Sequence, residues 1–579
     1  MSKNITQHGN SDGSVRLTNV VERQNTGQIK ARRTLRACDF CSGRAKRCRP
    51  SHGDPARCQN CVDHGEACTS NRPLKRRGAK PANSRTEPKP PITWTAVPIA
   101  PHNMVVSLVE IYFKVVYPIF PFFHEPTLLR DLTERLYLHK RSLFASVMAV
   151  CALASARARD GAVFSSKWDL ETLKEPQSEV FFSASESAIP LGPMAMSDFD
   201  YMRACALLSI TAIQYGQSRA MLYYLGLYHT MVETDGLHDE SNWPTELDLV
   251  EKEERRRLFW SIYTLDVYAS IVWGRTVRSR EAQSNVLYPS AIDEDINCSL
   301  SSDSHPSAIS NTEHSYSQNW LYGWNFTTDL YRILEHVLDH FRQTRSENRL
   351  STPIDALFGG STVSNATVLD VILNMYKSLS RRFKETPAAT QVSEHRLNFQ
   401  TANIAATIQL VRIMLFASED ATVEQRCTVA NELLSAFADI PSIYLRAISS
   451  PLLHHLAGIG QILGSVFEKG LPESAYQRIR SVLLAMVDLL ADLEVGLYWT
   501  ANASSRIQEL VLRIDDYISK ERQQMYLSDA RSDAVARSNQ RDSAVDAATE
   551  QEAASPLFQF PSELLDDWSW AFDFNQNLL

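Results

Sequence analysis

Six cysteines within 31 residues are the part of this sequence best equipped for chemistry. They stand at Cys38, Cys41, Cys48, Cys58, Cys61 and Cys68, a C-x2-C-x6-C half that repeats after nine intervening residues. Two sulfurs with two residues between them can reach one ion from a single turn, at about 2.3 Å for zinc. The third cysteine can return to the same ion after a short helix. Each half supplies three sulfurs, whereas a structural zinc takes four, so two separate ions would each lack a ligand. The shortage disappears if one thiolate from each half bridges both ions, giving two four-coordinate Zn2+ from six cysteines. Such a cluster is anionic and needs cations around it.

Those cations are present. Between Gln28 and Lys80 there are 14 Lys and Arg against 4 Asp and Glu, a net of +10, whereas the whole chain is −8 and the remainder therefore −18. A basic island on an acidic chain is the electrostatic footprint of a nucleic-acid contact. The N-terminal stretch "MSKNITQHGNSDGSVRLTNVVERQ" has no apolar core segment, so no secretory signal is expected and thiols are expected rather than disulfides. A disulfide knot therefore fits poorly. RING and LIM modules need His ligands at other spacings, and His52 and His64 fall outside both C-x2-C frames. Cys151, Cys205, Cys298 and Cys427 are scattered and read as core or incidental residues.

This spacing resembles the fungal Zn2Cys6 binuclear-cluster transcription factors, over about 31 residues. The resemblance implies two Zn2+ per chain, with Cys38 and Cys58 bridging, Cys41 and Cys48 completing one ion and Cys61 and Cys68 the other. "CQNCVDHGEAC" matches the family's second half, with Gly65 placed to end a short helix. Members set the helix after the second cysteine in the major groove at a CGG half-site, which would place "SGRAKR" there. Arg44, Lys46 and Arg47 are then the candidates for guanine O6 and N7, and Arg36, Arg49 and Arg57 those for phosphates. The chain departs from the family at Ser42 and Gly43, where basic residues are usual. It also carries Ala45 where Lys is common, Lys46 where an apolar residue is common, and Pro55 one position early.

After the cluster, Lys75, Arg76, Arg77 and Lys80 read as a nuclear localisation signal or extra phosphate contacts, which places the chain in the nucleus. Pro81, Pro88, Pro90, Pro91, Pro98 and Pro101 make a semi-extended linker. No sustained heptad lies between 69 and 102, so no linker coiled coil points to a homodimer, although one could form through the large domain.

From 103 onward helical periods dominate. "MVVSLVEIYFKVVYPIFPFFHEPTLL" begins as an apolar helix and should stop at Pro118 and Pro121. In "EERRRLFWSIYTLDVYASIVWGRTV", Leu258, Ile262, Leu265, Ala269 and Val272 share one helix face. Both segments resemble the fungal-specific transcription factor domain, most clearly over about 105–300, which implies an all-α regulatory domain without catalysis. "LFASVMAVCALASA" (143–156) is too short to span a bilayer and reads as a buried helix. Later helices are expected around 319–345, 366–384, 397–417, 422–438, 447–468 and 472–520, and the serine-rich 299–317 as a loop.

Catalytic patterns are weak. "GIGQILG" (458–464) has the wrong spacing for a phosphate loop and reads as close helix packing. His454 and His455 are adjacent and cannot share a helix face as ligands. No nucleophile elbow, HExxH or Walker spacing occurs, so the chain is not expected to be an enzyme. The Arg255–Arg257 cluster offers cations for an anionic effector, but reads rather as a structural charge network.

The end of the chain, "PSELLDDWSWAFDFNQNLL", sets Asp566 and Asp567 among Trp568, Trp570, Phe572 and Phe574, with no base. Acids holding aromatics in solvent describe a segment that folds on a transcriptional coactivator. The expected fold is thus mostly α, with the termini (1–30 and 521–579) disordered. A cluster module (31–72) and a basic, proline-rich linker (73–102) lead to a large helical domain (103–520). The expected function is a DNA-binding regulator, an activator of one pathway such as a secondary-metabolite or nutrient-use gene set. The alternatives are a repressor with the same DNA module, or a zinc-scaffolded adaptor for a protein or RNA.

Overall fold

The computed structural model describes residues 37–72, 94–290 (apart from 164, 166 and 193–195), 319–345, 364–417 (apart from 388 and 390), 422–448 and 471–539 (apart from 496 and 498–501), with a few positions between 456 and 463 and the pair 557–558. The chain divides into two units, Met1–Pro91 and Ile92–Leu579, and among the described residues the architecture is mostly helical, as expected from the sequence.

The first unit is built on the sequence repeat. Helix α1 (Asp39–Gly43) and helix α2 (Gln59–Asp63) are five residues each and begin one residue after Cys38 and Cys58. Both end in the same reversal. Lys46 N–H donates to Cys41 O (2.9 Å) and Ala45 N–H to Ser42 O (3.3 Å); Glu66 donates to Cys61 O (2.9 Å) and Gly65 to Val62 O (3.2 Å). This is a Schellman ending, which requires a left-handed residue after the cap. Gly65 (φ 65°) and Ala45 (φ 52°) occupy that position. Helix α1 therefore takes in only Ser42 and Gly43 of the expected "SGRAKR" helix, with Arg44 as its cap and Lys46 and Arg47 beyond its end. The physical reason is the turn that brings Cys48 back to the other sulfurs.

In the second unit, residues 94–101, expected as linker, already pack on the helices. Ala96 N–H donates to Leu138 O (2.9 Å), and Trp94 meets Phe144 edge-on at 5.5 Å. Helix α3 (His102–Ile111) widens into a π turn (Tyr112–Val116) and ends before Pro118, whose ring cannot continue it. Helix α4 (Glu125–Thr133) leads to α5 (Arg141–Arg159), buried along nearly its whole length. Its alanines let α6 (Ser178–Ala188) and α7 (Phe199–Gln214) approach closely. Ser185 and Ser178 on α6 donate to the carbonyls of Ala145 (2.7 Å) and Ala152 (2.6 Å). Helix α8 (Ser218–Asp235) precedes α9 (Leu249–Trp273), which Asp248 caps by accepting Glu251 N–H at 2.7 Å. As expected, Leu258, Ile262, Leu265 and Ala269 of α9 are buried, while Val272, near its end, is half-buried.

Helix α10 (Trp320–Arg345) packs against α9 and α12 (Val392–Ala417), with α11 (Asn365–Ser378) between α10 and α12 in sequence. Helices α5 and α12 are long and apolar enough to cross a membrane, but are mostly buried inside the protein. Helices α13 (Val423–Ala438) and α14 (Ser442–Ile448) follow, and Leu456, Ile459 and Leu463 beyond them are helical and buried. A Cβ on Gly458 would come within 2.9 Å of Ile413 Cγ2, so its glycine serves close packing, as read.

Two expectations need correction. The single helix expected over 472–520 is a pair, α15 (Glu473–Glu494) and α16 (Ala503–Asn539). Between them Asn502 adopts φ 50°, and Glu494 accepts the amide of Ser504 (3.3 Å), which starts α16. The tail expected from 521 begins as helix: α16 continues to Asn539 because Ala, Arg and Gln are strong helix formers. Leu471–Pro472 also pairs antiparallel with Leu557–Phe558, a short ladder that no alternation in the sequence signals. Arg36, the basic run Lys75, Arg76, Arg77 and Lys80, Cys298, the 299–317 loop, His454, His455, the N-terminal 1–30 and the candidate activation residues Asp566 to Phe574 lie outside the described residues.

Candidate metal centre and nucleic-acid interface

Cys38, Cys41, Cys58 and Cys61 are buried, with Cys48 and Cys68 half-buried around them. Their sulfurs form two overlapping sets of four. Cys38, Cys41, Cys48 and Cys58 make one, Cys38, Cys58, Cys61 and Cys68 the other, each with all sulfurs within 4.8 Å of one another. Only Cys38 and Cys58 belong to both. Four ligands at about 2.3 Å in a tetrahedron stand roughly 3.8 Å apart. The Cys38–Cys58 and Cys38–Cys61 sulfurs are 3.7 Å apart and Cys41–Cys58 3.5 Å. The donor set therefore fits metal ions of zinc's size and softness.

Local structure positions these sulfurs. Each C-x2-C pair spans the first turn of its helix, and Cys41 N–H points at Cys38 Sγ (3.5 Å). Asn60 ties the halves together, donating Nδ2 to Cys41 Sγ (3.5 Å) and to Arg47 O (3.0 Å). Burial would raise the thiol pKa of Cys58, but the Cys61 amide and the sulfurs of Cys41, Cys61 and Cys48 outweigh it and bring it down to about 6. Cys38 is lowered in the same way against its burial, by the Cys41 amide and the thiols of Cys41 and Cys61. Asp39 closes the module by accepting from Asn71 N–H (2.7 Å), Thr69 Oγ1 (3.1 Å) and Arg72 Nε (3.0 Å). The Asn71 amide is the first cause of its depressed carboxyl pKa. Asn60 and Asp39 were not singled out from the sequence; their only signal was a polar residue inside or beside each cysteine pair.

Arg44, Lys46, Arg47 and Arg49 are exposed, and no acid among the described residues forms an ion pair with any of them. Arg44 lies over the Phe40 ring at 4.6 Å, which limits its rotamers while leaving its edge to solvent. Arg57 behaves differently from the expected phosphate contact: its Nη2 donates to Cys61 O (3.0 Å) and to Glu66 O, closing the second half's loop.

In the helical unit, the segment around Pro118–Pro126 meets α9 through a buried charge network. Glu254 accepts His124 N–H (2.6 Å) and pairs with Arg203 (2.6 Å). Arg203 also reaches Asp200 (2.8 Å) and Phe122 O (3.0 Å) and lies between the Phe123 and Phe199 rings. Arg255 pairs with Glu251 (2.8 Å), Arg256 with Glu240 (2.7 Å) and Glu253 (2.8 Å), and Arg257 donates to Tyr117 OH (2.8 Å). All three arginines are structural, as read from the charge pattern. Residues 109–401, about half of the chain and including both of these segments, match the fungal specific transcription factor domain.

The chain belongs to the fungal-specific transcription factor domain family. It is 25% identical over 214 residues to a Saccharomyces cerevisiae protein named as a transcriptional regulatory protein, YJL206C, covering 34% of this chain and 25% of that protein. It is 23% identical over 247 residues to the Neurospora crassa transcriptional activator protein acu-15, covering 40% of this chain and 24% of that protein. The matched region spans about a quarter of each relative's length. This family is one of transcription regulators, and the cysteine set of the first unit can hold metal ions.

Proposed function

We propose that the chain is a nuclear, sequence-specific DNA-binding regulator of transcription whose first unit holds two Zn2+ bridged by Cys38 and Cys58. The observation that carries the reading is the pair of four-sulfur sets sharing those two cysteines, flanked by exposed, acid-free Arg44, Lys46 and Arg47. In this reading Cys41 and Cys48 complete one ion and Cys61 and Cys68 the other. Bound zinc fixes the two halves, and the exposed cations then meet a CGG-type site, with Arg44, Lys46 and Arg47 at guanine edges and Arg49 at phosphates. The module over 31–72 connects through 73–102, with Lys75, Arg76, Arg77 and Lys80 for nuclear import, to the regulatory helices. The residues Asp566, Asp567, Trp568, Trp570, Phe572 and Phe574 recruit a coactivator, which makes the chain a pathway-specific activator.

The test is duplex binding by zinc-loaded full-length protein, read by fluorescence anisotropy across a salt series. Arg44→Ala with Lys46→Ala should cost about 1–3 kcal/mol per lost base contact and relax discrimination against a CGG-mutated duplex. Zinc content should be unchanged. Equal binding to both duplexes by the unmodified chain would move the reading to the adaptor alternative.

A further inference from the structure

Helices α5, α7, α9, α10, α12 and α14 of the larger unit converge on a cavity of about 80 Å³. One water takes roughly 10–15 Å³ on this scale, so the space suits a body of about five to eight non-hydrogen atoms. Its walls are largely apolar, with Ile210, Leu265, Trp324 and Ala406 among them. Among its polar lining groups, which include Asn403 and several threonines, Arg157 carries the charge. Arg157, in the last turn of α5, is only 5% exposed, and its Nη1 has no hydrogen-bond partner among the described residues. The acid whose field it feels, Asp160, is engaged by Gln214. Burial is the larger influence on Arg157 and lowers its pKa to about 10, which leaves it charged at neutral pH. No acid lines the cavity, and Thr327 and Thr328 donate to carbonyls of their own helix (3.2 Å each). A buried cation with an unused donor beside an apolar space is costly unless an anion completes it.

We propose that this cavity binds a small monocarboxylate with a compact apolar body, its carboxylate received by Arg157 and its body by Ile210, Leu265, Trp324 and Ala406. The ligand would join six helices of the family domain, so its binding free energy adds to the stability of that unit. Binding itself does not depend on the DNA-regulator reading, because it is measured without DNA.

The experiment uses the full-length chain, with 3-methylbutanoate as probe and 3-methylbutanamide as its uncharged match in shape. Calorimetry and thermal unfolding are run at constant pH and ionic strength. The carboxylate should bind saturably and raise the melting temperature, and the amide should bind more than about tenfold more weakly, the value of a hydrogen bond to a charged group. Arg157→Met should abolish the preference for the carboxylate. Ala406→Leu, which fills the cavity and leaves Arg157 in place, should abolish binding of both, and it decides the matter if the Arg157 variant fails to fold. Equal binding of the two probes, no binding of either, or undiminished binding to Ala406→Leu would overturn the proposal.

Discussion

Ala45 and Gly65 take the same left-handed position in the two halves of the cysteine module, and exchanging their types tests that geometry in both directions. An L-residue there costs roughly 1–2 kcal/mol relative to Gly. Replacing Ala by Gly also loosens the unfolded chain, which offsets roughly 0.4–1 kcal/mol of the gain. Ala45→Gly should therefore stabilise the metal-bound module by about 0.5–1 kcal/mol. A Cβ on Gly65 would meet no atom within 4 Å, so Gly65→Ala should cost only the backbone term, a similar amount of opposite sign. Because ligand sites of this kind fold as they bind, the free energy reappears in metal affinity, as about a two- to fivefold change. Competition of full-length protein against a chromophoric zinc chelator reads it directly. If both substitutions weaken zinc binding equally, the two turns are not equivalent and the repeat argument fails.

The sharing of Cys38 and Cys58 has its own signature. Cys38→Ala or Cys58→Ala should abolish binding of both ions, whereas Cys48→Ala or Cys68→Ala should leave one, as counted by native mass spectrometry. In the helical unit, Asp200 is buried, which raises its pKa, but Arg203 and Lys140 overcome that and hold it below the usual carboxylate value. Its stabilisation is thus complete above the unfolded pKa of about 3.9 and is lost as pH falls through the lower folded value. Asp200→Asn should destabilise by about 3–5 kcal/mol at neutral pH by leaving Arg203 underpaired, and denaturant melts should show the gap closing below about pH 4. Gly323→Ala would set a Cβ 2.6 Å from Phe383 Cε1, and the overpacking should cost about 1–3 kcal/mol of thermal stability.

The cysteine module was legible because ligand spacing is a local property: the repeat in the sequence is the repeat in the structure, down to the paired Schellman turns. What the spacing could not show was that helix α1 ends at Gly43, since Ala45 carries no left-handed signal of the kind Gly65 does. Helix faces such as Leu258, Ile262 and Leu265 were also readable, because burial repeats with the helical period. The Glu254–Arg203–His124 junction was not, as its members are brought together from three distant segments and each alone reads as ordinary surface charge. The break before α16 had only Gly496 and Asn502 as markers within a strongly helical stretch. Arg157 looked like the polar end of an apolar helix, and only the packing of five other helices makes it the charged wall of a cavity.

The most direct test of the account is a selection of zinc-loaded full-length protein on random DNA duplexes, with and without a zinc chelator. The account predicts enrichment of a CGG-containing site that disappears with chelator and with the Arg44→Ala, Lys46→Ala variant. Retention of zinc without any enriched sequence would contradict it.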